Sequence, residues 1–148
     1  MAMMETSIFI ARPVEIVFQF LLNPDQSAPK MDRSGGSVAK TPEGPPGPGT
    51  TFVFRQQNLG RMMETKTHFT AVEFNRKIEF DAEIGPMRPR YSLTFEAADG
   101  GTKVIFRGTS NPRGAAKLLA PLMDRMGQRN WSWRLAKVRE ILESPART

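Results

Sequence analysis

Apolar and polar positions along the chain follow two rhythms, a period of two through the middle and helical spacing towards both ends. Residues 6–11 mix β-branched and aromatic side chains, Thr6, Ile8, Phe9 and Ile10, and run into Arg12-Pro13, where the proline discourages helix in the residue before it. That segment predicts a first strand. Pro13 suits an opening helical turn, and Val14, Val17, Phe18 and Leu21 follow on one face, predicting a helix that ends near Asn23-Pro24. Residues 27–30 allow another short turn. Residues 32–40 are polar, with Val38 their one strong apolar member, and residues 41–49 are so rich in proline and glycine that they predict a surface loop.

From residue 50 the alternation is sustained. Phe52, Phe54 and Gln56 oppose Thr51, Val53 and Arg55; Met63, Thr65, Thr67 and Phe69 oppose Glu64, Lys66, His68 and Thr70. Ile78, Phe80 and Ala82 oppose Glu79, Asp81 and Glu83, Tyr91, Leu93 and Phe95 oppose Arg90, Ser92 and Thr94, and Val104 and Phe106 follow an Asp99-Gly100-Gly101 turn. Five strands in succession, 50–57, 61–74, 77–84, 90–97 and 102–109, predict an antiparallel meander with the apolar sets inward. Residues 112–143 predict a long helix whose apolar stripe changes phase. Leu118, Leu119, Leu122, Met126 and Trp133 cluster on one side, and Trp131, Leu135, Val138 and Leu142 on another. Gly127 is the expected bend, letting the C-terminal half pack on the sheet while the N-terminal half roofs something else.

This order, strand, one or two short helices, antiparallel strands and a closing helix, resembles the START-like, Bet v 1-like (SRPBCC) superfamily, and within it the polyketide cyclase/dehydrase and lipid-transport branch. The resemblance rests on residues 8–18 (IFIARPVEIVF), 48–50 (PGT), 69–78 (FTAVEFNRKI), 91–96 (YSLTFE) with 100–104 (GGTKV), and 135–143 (LAKVREILE). Met31 departs from it, standing where many such sequences carry tryptophan. The resemblance implies an α+β helix-grip fold, a curved antiparallel sheet of about seven strands around a long C-terminal helix. It also implies an apolar cavity between sheet and helix that holds lipids, sterols, polyketides or hormones.

Composition narrows the chemistry. With 148 residues, 39% of them apolar, the chain reads as one domain over 1–148; the absence of cysteine excludes thiol chemistry and zinc ribbons, and the single His68 removes most zinc and Ser-His-Asp arrangements. No cofactor or metal is expected. The longest apolar stretch, 16–22, falls short of the ~20 residues of a membrane span, and residues 1–6 lack signal-peptide character, which reads as cytoplasmic. Net charge is +6, and the excess sits in residues 112–148, where eight Lys and Arg face three Asp and Glu. No helix-turn-helix, zinc-finger or RNA-recognition signature accompanies it, so nucleic acid is disfavoured as a partner.

The inward positions Phe52, Phe54, Met63, Phe69, Phe80, Leu93, Phe95 and Phe106 suit an apolar small-molecule ligand, with Leu118, Leu119, Leu122 and Met126 expected from the helix. Gln56, Thr65, Thr67 and the Tyr91 hydroxyl are the polar inward groups, and Arg90 or Arg107 could stand at a rim. The leading expectation is binding, for transport or sequestration, of a lipid or polyketide. A cofactor-independent cyclase or dehydratase is the alternative, with Tyr91 as proton donor; the residues show no inward carboxylate or histidine as acceptor, since His68 falls on the outward register. A third reading makes the basic helix an adaptor for anionic lipid or nucleic acid. The Trp131 or Trp133 surface leaves room for a homodimer contact.

Overall fold

The computed structural model describes residues 4–23, 37–58, 61–83, 88–109 and 114–143. Strand β1 (Met4–Ile10) leads into helix α1 (Val14–Leu22), and β2 (Ser37–Thr41) opens a meander through β3 (Thr51–Asn58), β4 (Arg61–Glu73), β5 (Lys77–Glu83), β6 (Arg90–Ala98) and β7 (Gly101–Thr109). A 3-10 helix (Gly114–Leu119) then runs into the long helix α2 (Ala120–Glu143). All pairings are antiparallel, in the spatial order β1-β7-β6-β5-β4-β3-β2. Consecutive strands β1 and β2 therefore sit at opposite edges, and the connection carrying α1 crosses six inter-strand spacings, about 29 Å. This is the helix grip that the sequence resembles.

The five expected strands are present. Beyond them β2 pairs with β3, Val38 opposite Phe54; a short polar strand is ordinary at a sheet edge, and its five residues hold too little alternation to be seen in sequence. The loop at 42–50 is exposed over most of its length, as its composition requires. A bulge interrupts β4, where Phe69 faces Phe80 but Ala71 faces Glu79, so that Thr70 is the extra residue. The inward set then passes from Thr67 and Phe69 to Val72, and the strand bends. The expected short turn at 27–30 and the departure at Met31 lie outside the described residues.

The concave face carries the core. At one end α1 buries Val17, Phe18 and Leu22, with Phe18 edge-on to Phe95 at 5.2 Å. Helix α2 buries Leu135 and Val138 and lays Trp131 flat on Phe106, ring centroids 4.5 Å apart and planes 14° apart. Its far end is clamped: Arg12 Nη1 donates to the Leu142 carbonyl at 2.8 Å, and the Ala11 N–H donates to Glu143 at 2.7 Å. A cation on the last carbonyls is favoured by the helix dipole. Thr102, fully buried, holds the Arg12 carbonyl in turn at 2.8 Å.

Helix α2 runs unbroken through Gly127, which corrects the expected bend. Its inward stripe is Ala120, Asp124, Gly127, Trp131, Leu135, Val138 and Leu142, all buried or half-buried and three or four residues apart, as on one straight helix. Gly127 serves close approach instead: a Cβ there would stand 2.5 Å from the Met4 sulfur of β1. Alongside, Ser132 Oγ donates to Thr6 Oγ1 at 3.0 Å, and the Glu5 N–H donates to Gln128 at 3.3 Å.

Gly127→Ala gains about 1 kcal/mol of helix propensity but must displace the buried Met4 sulfur, so the two effects oppose and its denaturation midpoint should stay near the parent's. Gly127→Leu overfills the contact and should cost about 2 kcal/mol. Equal midpoints for the two variants would mean that α2 and β1 do not touch at this point.

Candidate functional site

Alternation on β3 to β7 places one aromatic ring after another on the concave face. The rings form a continuous chain: Phe54 to Phe52 at 6.5 Å, Phe52 to Phe69 at 5.1 Å, Phe69 to Phe80 at 6.1 Å and Phe80 to Tyr91 at 5.3 Å. Tyr91 continues to Phe106 at 5.3 Å, and Trp131 closes the cluster, 6.0 Å from Phe80 and 5.7 Å from Tyr91. Phe52, Phe69, Phe80 and Phe106 are buried, whereas Phe54, Tyr91 and Trp131 are half-buried. Thr67 is buried and Thr65 half-buried on the same face of β4.

Tyr91 lies over a glycine. It pairs with Gly108 on β7, and a Cβ at Gly108 would stand 2.5 Å from its Cδ1. The hydroxyl is the chemical focus of the face. Burial pushes its pKa above the ordinary tyrosine value; the Arg134 guanidinium and a hydrogen bond from the Trp131 indole N–H pull the other way, and Asp124 adds to the rise. Tyr91 is therefore a neutral phenol at physiological pH, able to donate. Arg134 stacks over Trp131, its Cζ 5.4 Å from the ring centroid. Asp124 is 5% exposed, on the inward stripe of α2 one heptad before Trp131.

Several expected positions move. Leu118, Leu119, Leu122 and Met126 face outward, because Asp124 and Gly127 take the inward places on a straight helix and leave the apolar set on the opposite side. Leu93 and Phe95 are buried on the concave face, Phe95 beneath α1 against Phe18. Gln56 and Met63 pair across β3 and β4, and their side chains lie outside the described residues. Arg90 and Arg107 stand on the outer face, on Asp81 at 3.2 Å and Glu5 at 2.8 Å, and not at a rim. His68 is also on the outer face, with Nε2 2.6 Å from Glu83 and Nδ1 3.0 Å from the Thr51 hydroxyl. That hydrogen bond holds the Glu83 carboxyl below its usual range. Trp131 faces the sheet and Trp133 solvent, so a surface contact could involve Trp133 alone of the two.

A sequence profile of the family described as polyketide cyclase / dehydrase and lipid transport matches residues 1–143. The chain belongs to that family. Its fold is shared with solved structures. Ara h 8.0201 superposes with a TM-score of 0.79 at 20% identity, over 97% of this chain and 99% of that one. Ms6760 from Mycobacterium smegmatis gives 0.71 at 18% identity, over 95% of this chain and 90% of that one. DynU16, a protein in the dynemicin biosynthetic locus, gives 0.65 at 14% identity, over 96% of this chain and 47% of that one. No curated protein matches significantly. This member of the polyketide cyclase/dehydrase and lipid transport family has, among its described residues, no cluster of three His, Asp or Glu side chains suited to a metal. None of its described helices is long and apolar enough to cross a membrane.

The residue pattern alone missed Asp124 and Arg134. A lone aspartate in an arginine-rich helix looks like a solvated charge, yet Asp124 falls on the Trp131–Leu135–Val138–Leu142 stripe as soon as the helix is drawn straight.

Because the chain has one tyrosine, its phenolate absorbance reports Tyr91 alone. The folded protein should titrate above 10.0, Arg134→Gln should move the midpoint higher and Asp124→Asn lower. Folding stability should be insensitive to this group below about pH 10 and fall as pH rises through the folded-state value, since the unfolded chain ionises first. A midpoint at or below the ordinary value would show that burial does not outweigh Arg134 and the Trp131 hydrogen bond at this hydroxyl.

Proposed function

We propose that the protein binds an apolar small molecule bearing a ketone or hydroxyl oxygen, such as a lipid or polyketide, in a cavity between the concave face and α2, for transport or sequestration. The observation that carries this reading is the neutral Tyr91 phenol set among the rings of Phe80, Phe106 and Trp131. Hydrocarbon buried against such a wall gains about 25 cal/mol per Å². An oxygen brought in with it is costly unless it meets a donor, about 1–3 kcal/mol, so Tyr91 selects ligands whose oxygen arrives at that corner. The family description, which joins polyketide chemistry to lipid transport, supports the same ligand classes.

Trp133→Phe leaves Trp131 as the single tryptophan, so its quenching by the neutral probe N-phenyl-1-naphthylamine reads this face. Saturable quenching is expected, weakened about tenfold by Phe80→Ser and unchanged by Phe74→Ser, a substitution at an exposed turn. Equal quenching in a folded Phe80→Ser protein would remove the reading.

A buried carboxylate near the phenol favours a second reading, a cofactor-independent cyclase. Asp124 would take a proton from the carbon between two carbonyls of a poly-β-ketone, and the Tyr91 hydroxyl would hydrogen-bond to the enolate oxygen as it develops. The enolate carbon would then attack a further carbonyl of the same chain. That carbonyl's oxygen takes the proton back from Asp124 to become a hydroxyl; if the ring dehydrates, the hydroxyl leaves as water together with the remaining proton of the attacking carbon, and a C=C bond forms. With a synthetic poly-β-ketone thioester, Asp124→Asn and Tyr91→Phe should each slow cyclisation about a hundredfold. Turnover equal to the parent's in both variants would rule the reaction out.

A further inference from the structure

We propose that the outward face of the 3-10 helix and α2 docks on an anionic lipid surface. Leu118, Leu122, Met126 and Trp133 are 86%, 54%, 62% and 57% exposed, and they fall on one line along the helical segment at spacings of four, four and seven. The line runs about 20 Å along the molecule. Solvent exposure of large apolar groups in such a row marks a surface that something covers.

The charges around the row choose the occupant. Lys117, Arg125, Arg129 and Arg139 are exposed on this segment, and between Asp99 and Glu140 the sequence has one acidic residue, Asp124, which is turned inward and buried. The outward face over residues 117–139 is thus apolar and cationic, with no carboxylate. A second copy of the chain would set arginines against arginines. A nucleic acid would match the cations but leave the leucines and the tryptophan uncovered. An anionic bilayer meets both, with apolar side chains entering the headgroup boundary and Arg and Lys on the lipid phosphates. No covalent step is involved, and the inference stands independently of the ligand reading because it uses the opposite face of α2.

Flotation of the full chain with phosphatidylcholine vesicles, with and without about a third phosphatidylglycerol, tests it. The expected result is binding to the anionic vesicles alone, weakened by salt, with a blue shift of Trp133 emission that disappears in Trp133→Phe. The triple change Leu118→Ser, Leu122→Ser, Met126→Ser and the pair Arg125→Gln, Arg129→Gln should each weaken binding about tenfold or more. All five positions are exposed, so circular dichroism should be unaltered. Equal binding to both vesicle types, or no loss in the serine variant, overturns the proposal. So does a parent that is a dimer split by the serine changes, or one that binds RNA with vesicle affinity absent.

Discussion

The long helix must lie along the inner face of a seven-stranded sheet, and the stack of Trp131 on Phe106 fixes how it does so. A flat aromatic contact at 4.5 Å leaves α2 little freedom to roll, because rotation would lift Leu135 and Val138 out of the core and bring Asp124 into solvent. Gly127 allows the helix down onto Met4, and Arg12 holds its last carbonyl. With the inward stripe fixed, every other side chain on α2 and on the 3-10 turn that leads into it has its address. Leu118, Leu122 and Met126 are outward because Asp124 and Gly127 are inward.

That trade gives the inner face its chemical character. An all-apolar stripe would have produced a filled core and nothing more. Placing a carboxylate, an indole N–H and a guanidinium near a buried phenol sets opposing influences on one hydroxyl, with desolvation the strongest. Low polarity around the group makes each neighbour count for more than it would in water. The one histidine of the chain acts on the outer face instead, where His68 joins Thr51 to Glu83 across three strands.

Much of the fold was legible in the sequence, since sustained period-two alternation fits an extended strand with one face buried and fits no helix, and each strand from β3 to β7 buries one face. Strand β2 was not, because its five residues hold a single inward apolar side chain. Within the candidate site, Phe52, Phe69, Phe80, Tyr91 and Phe106 were read correctly as inward from alternation alone, whereas the helix was read by hydrophobicity and assigned the wrong face along its first half. Leu118, Leu122, Met126 and Trp133 outweigh an aspartate and a glycine on any apolar scale, yet Asp124 and Gly127 are the residues that meet the sheet. Continuity of phase was the better guide, because a helix without a kink keeps one face throughout.

The pairing of β1 with β7 joins Met4 to Gly108, and the clamp joins Ala11 and Arg12 to the end of α2. Both unite stretches of chain more than a hundred residues apart. The meander from β2 to β7 can zip up hairpin by hairpin, but the edge of β7 stays open until β1 returns to it, which makes that pairing the one of highest contact order in the sheet. During synthesis β1 and α1 emerge well before the strands they meet. The partners of β1 and α1 are β7 and β6, and Ala11 and Arg12 between them hold the final turn of α2, so the fold is closed by contacts between segments distant in sequence.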